Sequence, residues 1–142
     1  MDTFAIYGTA LWGVFFILVT VLVQALVASF SKASQPGAVP GKMDDSLSHS
    51  SFVFRSNRTI ANSLENLPLM LGTVFLAILA GASVSWTGIL VWVYAIARLL
   101  HMVLYYGIAT EKNPSPRSWF FLLGVVANIA LLVFAALALI NL

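Results

Sequence analysis

The chain has 142 residues, 61% of them hydrophobic and 8% charged, with a mean hydropathy of +0.97. A soluble domain carries about 25% charged residues, so seven basic and five acidic side chains cannot cover a water-facing surface, and the composition predicts an all-α integral membrane protein. The absence of cysteine removes disulfides, thiolate metal ligands and a cysteine nucleophile, and a net charge of +2 offers no surface for nucleic acid.

A membrane-spanning helix needs about 20 mostly apolar residues. The first such stretch covers residues 4–30 and holds no charge. Its start, MDTF, carries Asp2 and no Lys or Arg, which argues against a secretory leader and for a retained span. A polar segment follows, SKASQPGAVPGKMDDSLSHS, whose Pro36, Gly37, Pro40 and Gly41 break helices and make turns. The second span is expected near residues 58–80, with its helix starting between Ser51 and Asn57. Its apolar part is too short alone, so it must include Arg58 to Asn66, and Pro68 inside it predicts a kink or a loosened turn. The third and fourth spans fall near residues 86–107 and 118–141. The later connections are short, so consecutive helices pack antiparallel. The whole of residues 1–142 then reads as one transmembrane four-helix domain.

Basic residues set the orientation. Lys32, Lys42, Arg55 and Arg58 flank the first connection, Lys112 and Arg117 the third, and none lies in the second. The positive-inside rule places connections one and three in the cytoplasm and both termini on the lumenal, periplasmic or extracellular side. Asn57-Arg58-Thr59 matches a glycosylation sequon, but on the cytoplasmic side it is a chance match.

Two polar stripes cross the apolar runs. Arg58, Asn62 and Glu65 are spaced four and three apart, so they share one helix face, with Asn66 at its flank. Tyr94, Arg98, His101 and Tyr105 form a second stripe on the third span, while Tyr106 points elsewhere. A charge at the bilayer centre costs about 2.5–3.5 kcal/mol on insertion scales, so both stripes should face the bundle interior, a cleft between subunits or water. Arg98 lies about 13 Å along the helix from its cytoplasmic end, a depth compatible with Glu65, and a Glu65–Arg98 pair is the simplest way to neutralise both. Such a pair can merely hold helices together. Alternatively, the surplus of Arg58, Arg98 and Arg117 over nearby acids invites an anionic ligand bearing carboxylates. Arg117, with Ser118 at the start of the fourth span, is either an interfacial snorkelling residue or a stabiliser of a developing anion. His49 reads as a loop residue and His101 as an interior group. Two distant histidines with no acidic cluster give no metal site. Trp86, Trp92 and Trp119 suit membrane interfaces, Trp12 suits packing, and Gly72, Ala77 and Gly81 are candidates for close helix approach.

Arg58-x-x-x-Asn62-x-x-Glu65, continuing as Asn66-Leu67-Pro68, then Arg98 followed by Tyr105, then Arg117-Ser118, resemble in order the motifs of the MAPEG family, the membrane-associated proteins in eicosanoid and glutathione metabolism. The resemblance implies a homotrimer of four-helix subunits, with glutathione as co-substrate in a cleft between subunits. Arg58, Asn62, Glu65, Arg98 and Tyr105 would hold the tripeptide. Arg117 would activate its thiol with help from Ser118, and a hydrophobic small molecule would arrive through membrane lipid. The implied activity is that of a glutathione-dependent transferase or peroxidase. One departure stands out: family enzymes often carry a tyrosine four residues beyond the fourth-span arginine, where this chain has Phe121. A non-catalytic scaffold binding lipid or glutathione is therefore the alternative. A small transporter is a third, thinner reading, since no inverted repeat is present.

Overall fold

A computed structural model describes residues 3–142 as helices α1 (Thr3–Ile6), α2 (Gly8–Ala33), α3 (Phe52–Leu79), α4 (Val84–Gly107) and α5 (Pro116–Ile140). The acidic start at Asp2 lies outside the described residues. Helices α2 to α5 have 26, 28, 24 and 25 residues, and all four are long and apolar enough to cross a membrane. At about 1.5 Å per residue each exceeds the roughly 30 Å hydrocarbon core. The protein is an integral, multi-pass membrane helical bundle.

Local chemistry sets the helix ends. α3 closes in a Schellman motif: Gly81 adopts φ +69°, its N–H bonds Ile78 O at 3.1 Å, and the Ala82 N–H bonds Ala77 O at 2.9 Å. Gly81 thus serves a left-handed turn and not a helix contact. α4 opens on Ser83, whose side chain accepts from the Trp86 N–H. α5 opens with Pro116 in its first turn and a reciprocal Ser115–Ser118 capping box. Helix α3 begins at Phe52, earlier than the expected span, so its first two turns carry Arg55 and Arg58 beyond the apolar stretch. It stays one helix through Pro68.

The bundle alternates direction, and bonds at its two ends show this. At one end connection one (residues 34–51) meets connection three (residues 108–115). Arg55 donates to His49 O at 2.7 Å, Ser50 O at 2.9 Å and Tyr106 O at 3.2 Å. Ser31 and Ser56 join α2 to α3 at 2.8 Å. At the other end the Tyr7 hydroxyl donates to Ala82 O, Trp92 Nε1 donates to Thr9 O at 3.0 Å, and Trp86 stacks on Phe134. In connection one, Asp44 accepts from the Ser46 backbone N–H at 2.9 Å and from its hydroxyl at 2.8 Å. Those bonds, the backbone one foremost, hold its carboxyl below the usual range.

Helix α4 packs against α2, α3 and α5. Val14 and Ile17 of α2, Met70, Val74 and Ala77 of α3, Val91 and Ala95 of α4, and Leu131 and Ala135 of α5 form the core. Close approach happens at Gly13 and Gly88, not at Gly72, which faces open space. A Cβ on Gly13 would sit 2.7 Å from Val91 Cγ1, and one on Gly88 3.2 Å from Thr9 Cγ2. Trp12, expected to pack, is 66% exposed and touches Phe15 edge-on. Val91 is β-branched and stiff at χ1, so Gly13→Ala must push α2 from α4. The expected loss is about 1–3 kcal/mol of stability, read as a lowered melting temperature of detergent-solubilised protein.

Candidate functional site

The polar residues of α3 and α4 meet near the end that carries connections one and three. Arg98 is 5% exposed. Its Nη2 donates to Asn62 Oδ1 at 2.8 Å and to Ser63 Oγ at 3.0 Å. On its far side α5 passes at Gly124, where a Cβ would lie 3.6 Å from Arg98 Cδ and 3.6 Å from the Tyr94 ring. A cavity of about 10 Å³ adjoins the guanidinium, bounded by Thr20, Gln24, Ser63, Tyr94 and Arg98 among others. Gln24 is fully buried there, and neither of its amide atoms has a partner among the described residues.

The expected Glu65–Arg98 pair does not form: among the described residues no basic side chain lies within ion-pair distance of Glu65, and the one carboxylate within reach of a basic residue is Glu111, hydrogen-bonded to His49. The reason is helical geometry. Ser63 faces α4, and Glu65, two residues on, is rotated by about 200° at 3.6 residues per turn. Glu65 and Arg58 therefore lie exposed on the outer face of α3, with no hydrogen bond or ion pair among the described residues. Asn62 stands between the faces, half-buried, and turns its carbonyl oxygen to Arg98 while its backbone oxygen accepts from Asn66 Nδ2 at 2.7 Å. The stripe shares one face, as its spacing requires, but that face is only partly the one against α4.

Tyr105 is the second centre, 8% exposed. The Arg117 guanidinium lies over its ring at 4.0 Å, a cation–π contact. His101 meets the same ring edge-on at 5.5 Å. Its hydroxyl pairs with His49 Nε2 at 3.0 Å. Arg117 Nη2 donates to Thr110 O at 3.2 Å, and its buried Nη1 has no partner among the described residues. The Ser118 hydroxyl accepts from the Ser115 N–H at 3.1 Å, so it caps the helix that carries Arg117. Phe121 is half-buried, its ring 6.4 Å from His101.

Reasoning from sequence missed His49 and Ser63. Nothing in the chain's spacing places a residue of connection one against α4, and Ser63 lies off the charged stripe. The Asn62-Ser63 neighbourhood of an intramembrane arginine was the available signal. The arrangement has two properties: guanidiniums held by neutral groups alone, and a buried Arg117 N–H donor without a partner among the described residues. Among the described residues no cluster of His, Asp or Glu could hold a metal.

Two consequences are measurable. Asn62→Leu strips a buried guanidinium of an acceptor and should cost about 1.5–3 kcal/mol, the usual worth of a hydrogen bond to a charged group. Glu65→Gln, on the outer face, should leave the single-chain fold nearly unchanged. Unfolding of both variants in denaturing detergent gives the comparison, and a larger loss for Glu65→Gln would reverse the assignment.

No characterised protein and no solved structure shows a significant match. The MAPEG family profile matches residues 9–137, which takes in all four membrane-crossing helices and every polar residue of the two stripes, and the chain belongs to the MAPEG family.

Proposed function

We propose that the protein is a glutathione-dependent membrane transferase or peroxidase, active as a homotrimer, with connections one and three in the cytoplasm. One observation carries the reading: Arg98 on α4 and Arg117 at the start of α5 hydrogen-bond to neutral acceptors alone. A ligand with two carboxylates supplies the countercharge that the chain lacks, and the family's association with glutathione metabolism points to that tripeptide. Arg58, Asn62, Glu65, Arg98 and Tyr105 would bind its carboxylates, amine and peptide groups.

The free Arg117 Nη1 is the donor available to the thiol. An ordinary thiol has a pKa of about 8.5. Each unit of depression requires about 1.4 kcal/mol of preference for the thiolate, and one charge-assisted bond of about 1.5–3 kcal/mol supplies it. Ser118 contributes by capping α5, whose N-terminal dipole favours an anion nearby. The thiolate then attacks an electrophilic carbon of an apolar substrate to form a thioether, either expelling a leaving group such as halide with its bonding pair or adding to an activated C=C bond, whose electron pair takes a proton from water. With a hydroperoxide it attacks the terminal oxygen, releasing an alcohol, and a second glutathione converts the sulfenate to disulfide and water.

The outer face of α3 supports the homotrimer. Glu65 is exposed about 20 Å along a membrane-crossing helix, where lipid contact costs a charged group about 2.5–3.5 kcal/mol. A neighbouring subunit over that face removes the cost and closes the site.

The second reading, a non-catalytic scaffold, is favoured by Phe121, which places a ring beside His101 and no hydroxyl. An ultraviolet difference spectrum near 240 nm, with glutathione and detergent-solubilised protein at neutral pH, separates the two. A thiolate band is expected, lost in Arg117→Ala and strengthened in Phe121→Tyr. Glutathione binding without a band in any of the three proteins would establish the scaffold.

A further inference from the structure

His49 belongs to a connection, yet its imidazole is held on both sides. Its Nδ1 lies 2.9 Å from Glu111 Oε2, and its backbone N–H donates to Glu111 Oε1 at 3.1 Å. Its Nε2 lies 3.0 Å from the Tyr105 hydroxyl. The ring stacks on Tyr105 at 5.8 Å and meets Phe54 edge-on at 4.9 Å. Arg55 fixes the backbone oxygen at 2.7 Å. The charged and titratable groups around the unit are thus Glu111 from connection three, Arg55 from α3, Tyr105 and His101 from α4, and Arg117 from α5.

For a neutral His49 ring these contacts determine hydrogen-bond direction. An ionised carboxylate only accepts, so Nδ1 carries the proton. In the neutral ring Nε2 must then accept, and the Tyr105 hydroxyl must donate to it. A phenol has one proton. With that proton committed to His49, the Tyr105 oxygen faces the site with lone pairs only. The Arg117 guanidinium over its ring has donors only. The site therefore divides its work: arginines take the anionic groups and Tyr105 takes an N–H or S–H.

We propose that His49 and Glu111 are positioning residues that set the Tyr105 hydroxyl as a hydrogen-bond acceptor, so that the ligand group against Tyr105 is an ammonium, amide N–H or thiol and not a carboxylate. The identity of the ligand rests on the glutathione reading; the polarity of the hydroxyl does not.

The test has two arms on the full-length protein in detergent. Nitrogen-15 NMR of labelled imidazoles, with His49→Gln assigning the His49 signals, should show a protonated Nδ1 and an unprotonated Nε2 at neutral pH. A His49 ring with its proton on Nε2, or with protons on both nitrogens, would overturn the proposal. Equilibrium dialysis with labelled glutathione forms the second arm. His49→Ala should weaken binding about three- to tenfold, as loss of one oriented hydrogen bond does, while His49→Gln restores it, because an amide both donates to Glu111 and accepts from Tyr105. In a Tyr105→Phe background His49→Ala should change nothing further. Equal weakening in both backgrounds would show that His49 acts through loop packing and would sink the proposal. Folded wild-type protein that binds no glutathione, yet shows the Nδ1-protonated ring, would overturn the glutathione reading and leave the acceptor role of Tyr105 standing.

Discussion

Arg98 lies within a membrane-crossing helix with its guanidinium inside the bundle, and the groups on it are an amide oxygen and a hydroxyl, not an acid. Much of the remaining arrangement follows from meeting that charge. To bring Asn62 and Ser63 to Arg98, α3 must turn that side toward α4. Glu65 then has to face outward, since a helix cannot present residues 63 and 65 in one direction. The stripe on α3 is consequently divided between an inner amide and two outer charges. In the proposed homotrimer those outer charges line the contact between subunits, so the same rotation that satisfies Arg98 also places Arg58 and Glu65 at a shared site.

The two ends of the bundle are built differently. At the end near Tyr7 the chain is sealed by aromatic side chains on backbone carbonyls, and by an approach of α2 to α4 so close that Gly13 has no room for a methyl group. At the other end three arginines serve different purposes. Arg55 spends its donors on the carbonyls of residues 49, 50 and 106 and so ties connection one down. Arg98 is satisfied by neutral side chains. Arg117 lies over the Tyr105 ring with one nitrogen to spare. Arginine suits all three tasks because its planar fork both hydrogen-bonds and stacks on rings; Arg98 engages a single nitrogen, Nη2, and Arg117 leaves Nη1 without a partner among the described residues, so both keep donors for a ligand.

The four spans, the short later connections and the interior position of Arg98, His101 and Tyr105 were legible in the sequence, because apolar length and three-and-four spacing report directly on a helix and its faces. The pairing of Glu65 with Arg98 was not. Spacing says which residues share a face, but the rotation of one helix against another depends on side-chain packing at the contact. Here Ser63, a small residue off the stripe, takes the place against Arg98. His49 was illegible for a different reason: its position depends on where two connections meet, and loop paths carry no periodicity. The close approach at Gly13 was hidden because a glycine in an apolar helix gives no sign of which neighbour it admits, and Gly72, of the same residue type, faces open space.

Tyr105 is where contacts from connection one, α4 and α5 meet. One face of its ring carries the Arg117 guanidinium, an edge meets His101, and its oxygen meets His49. Around it hydrogen-bond acceptors are scarce. Arginines offer none, the Asn62 oxygen is already engaged by Arg98, and Glu111 is engaged by His49. A tripeptide brings N–H groups and an ammonium as well as carboxylates, and a site made of donors alone would leave those N–H groups without protein partners, at a cost when water is excluded. In the proposed function that need falls on two groups, the Glu65 carboxylate on the outer face of α3 and the Tyr105 oxygen on α4. They lie on different helices. Separation of the two acceptors would set the orientation of the ligand, carboxylates toward the guanidiniums and N–H groups toward the flanks, independently of how tightly any one arginine binds.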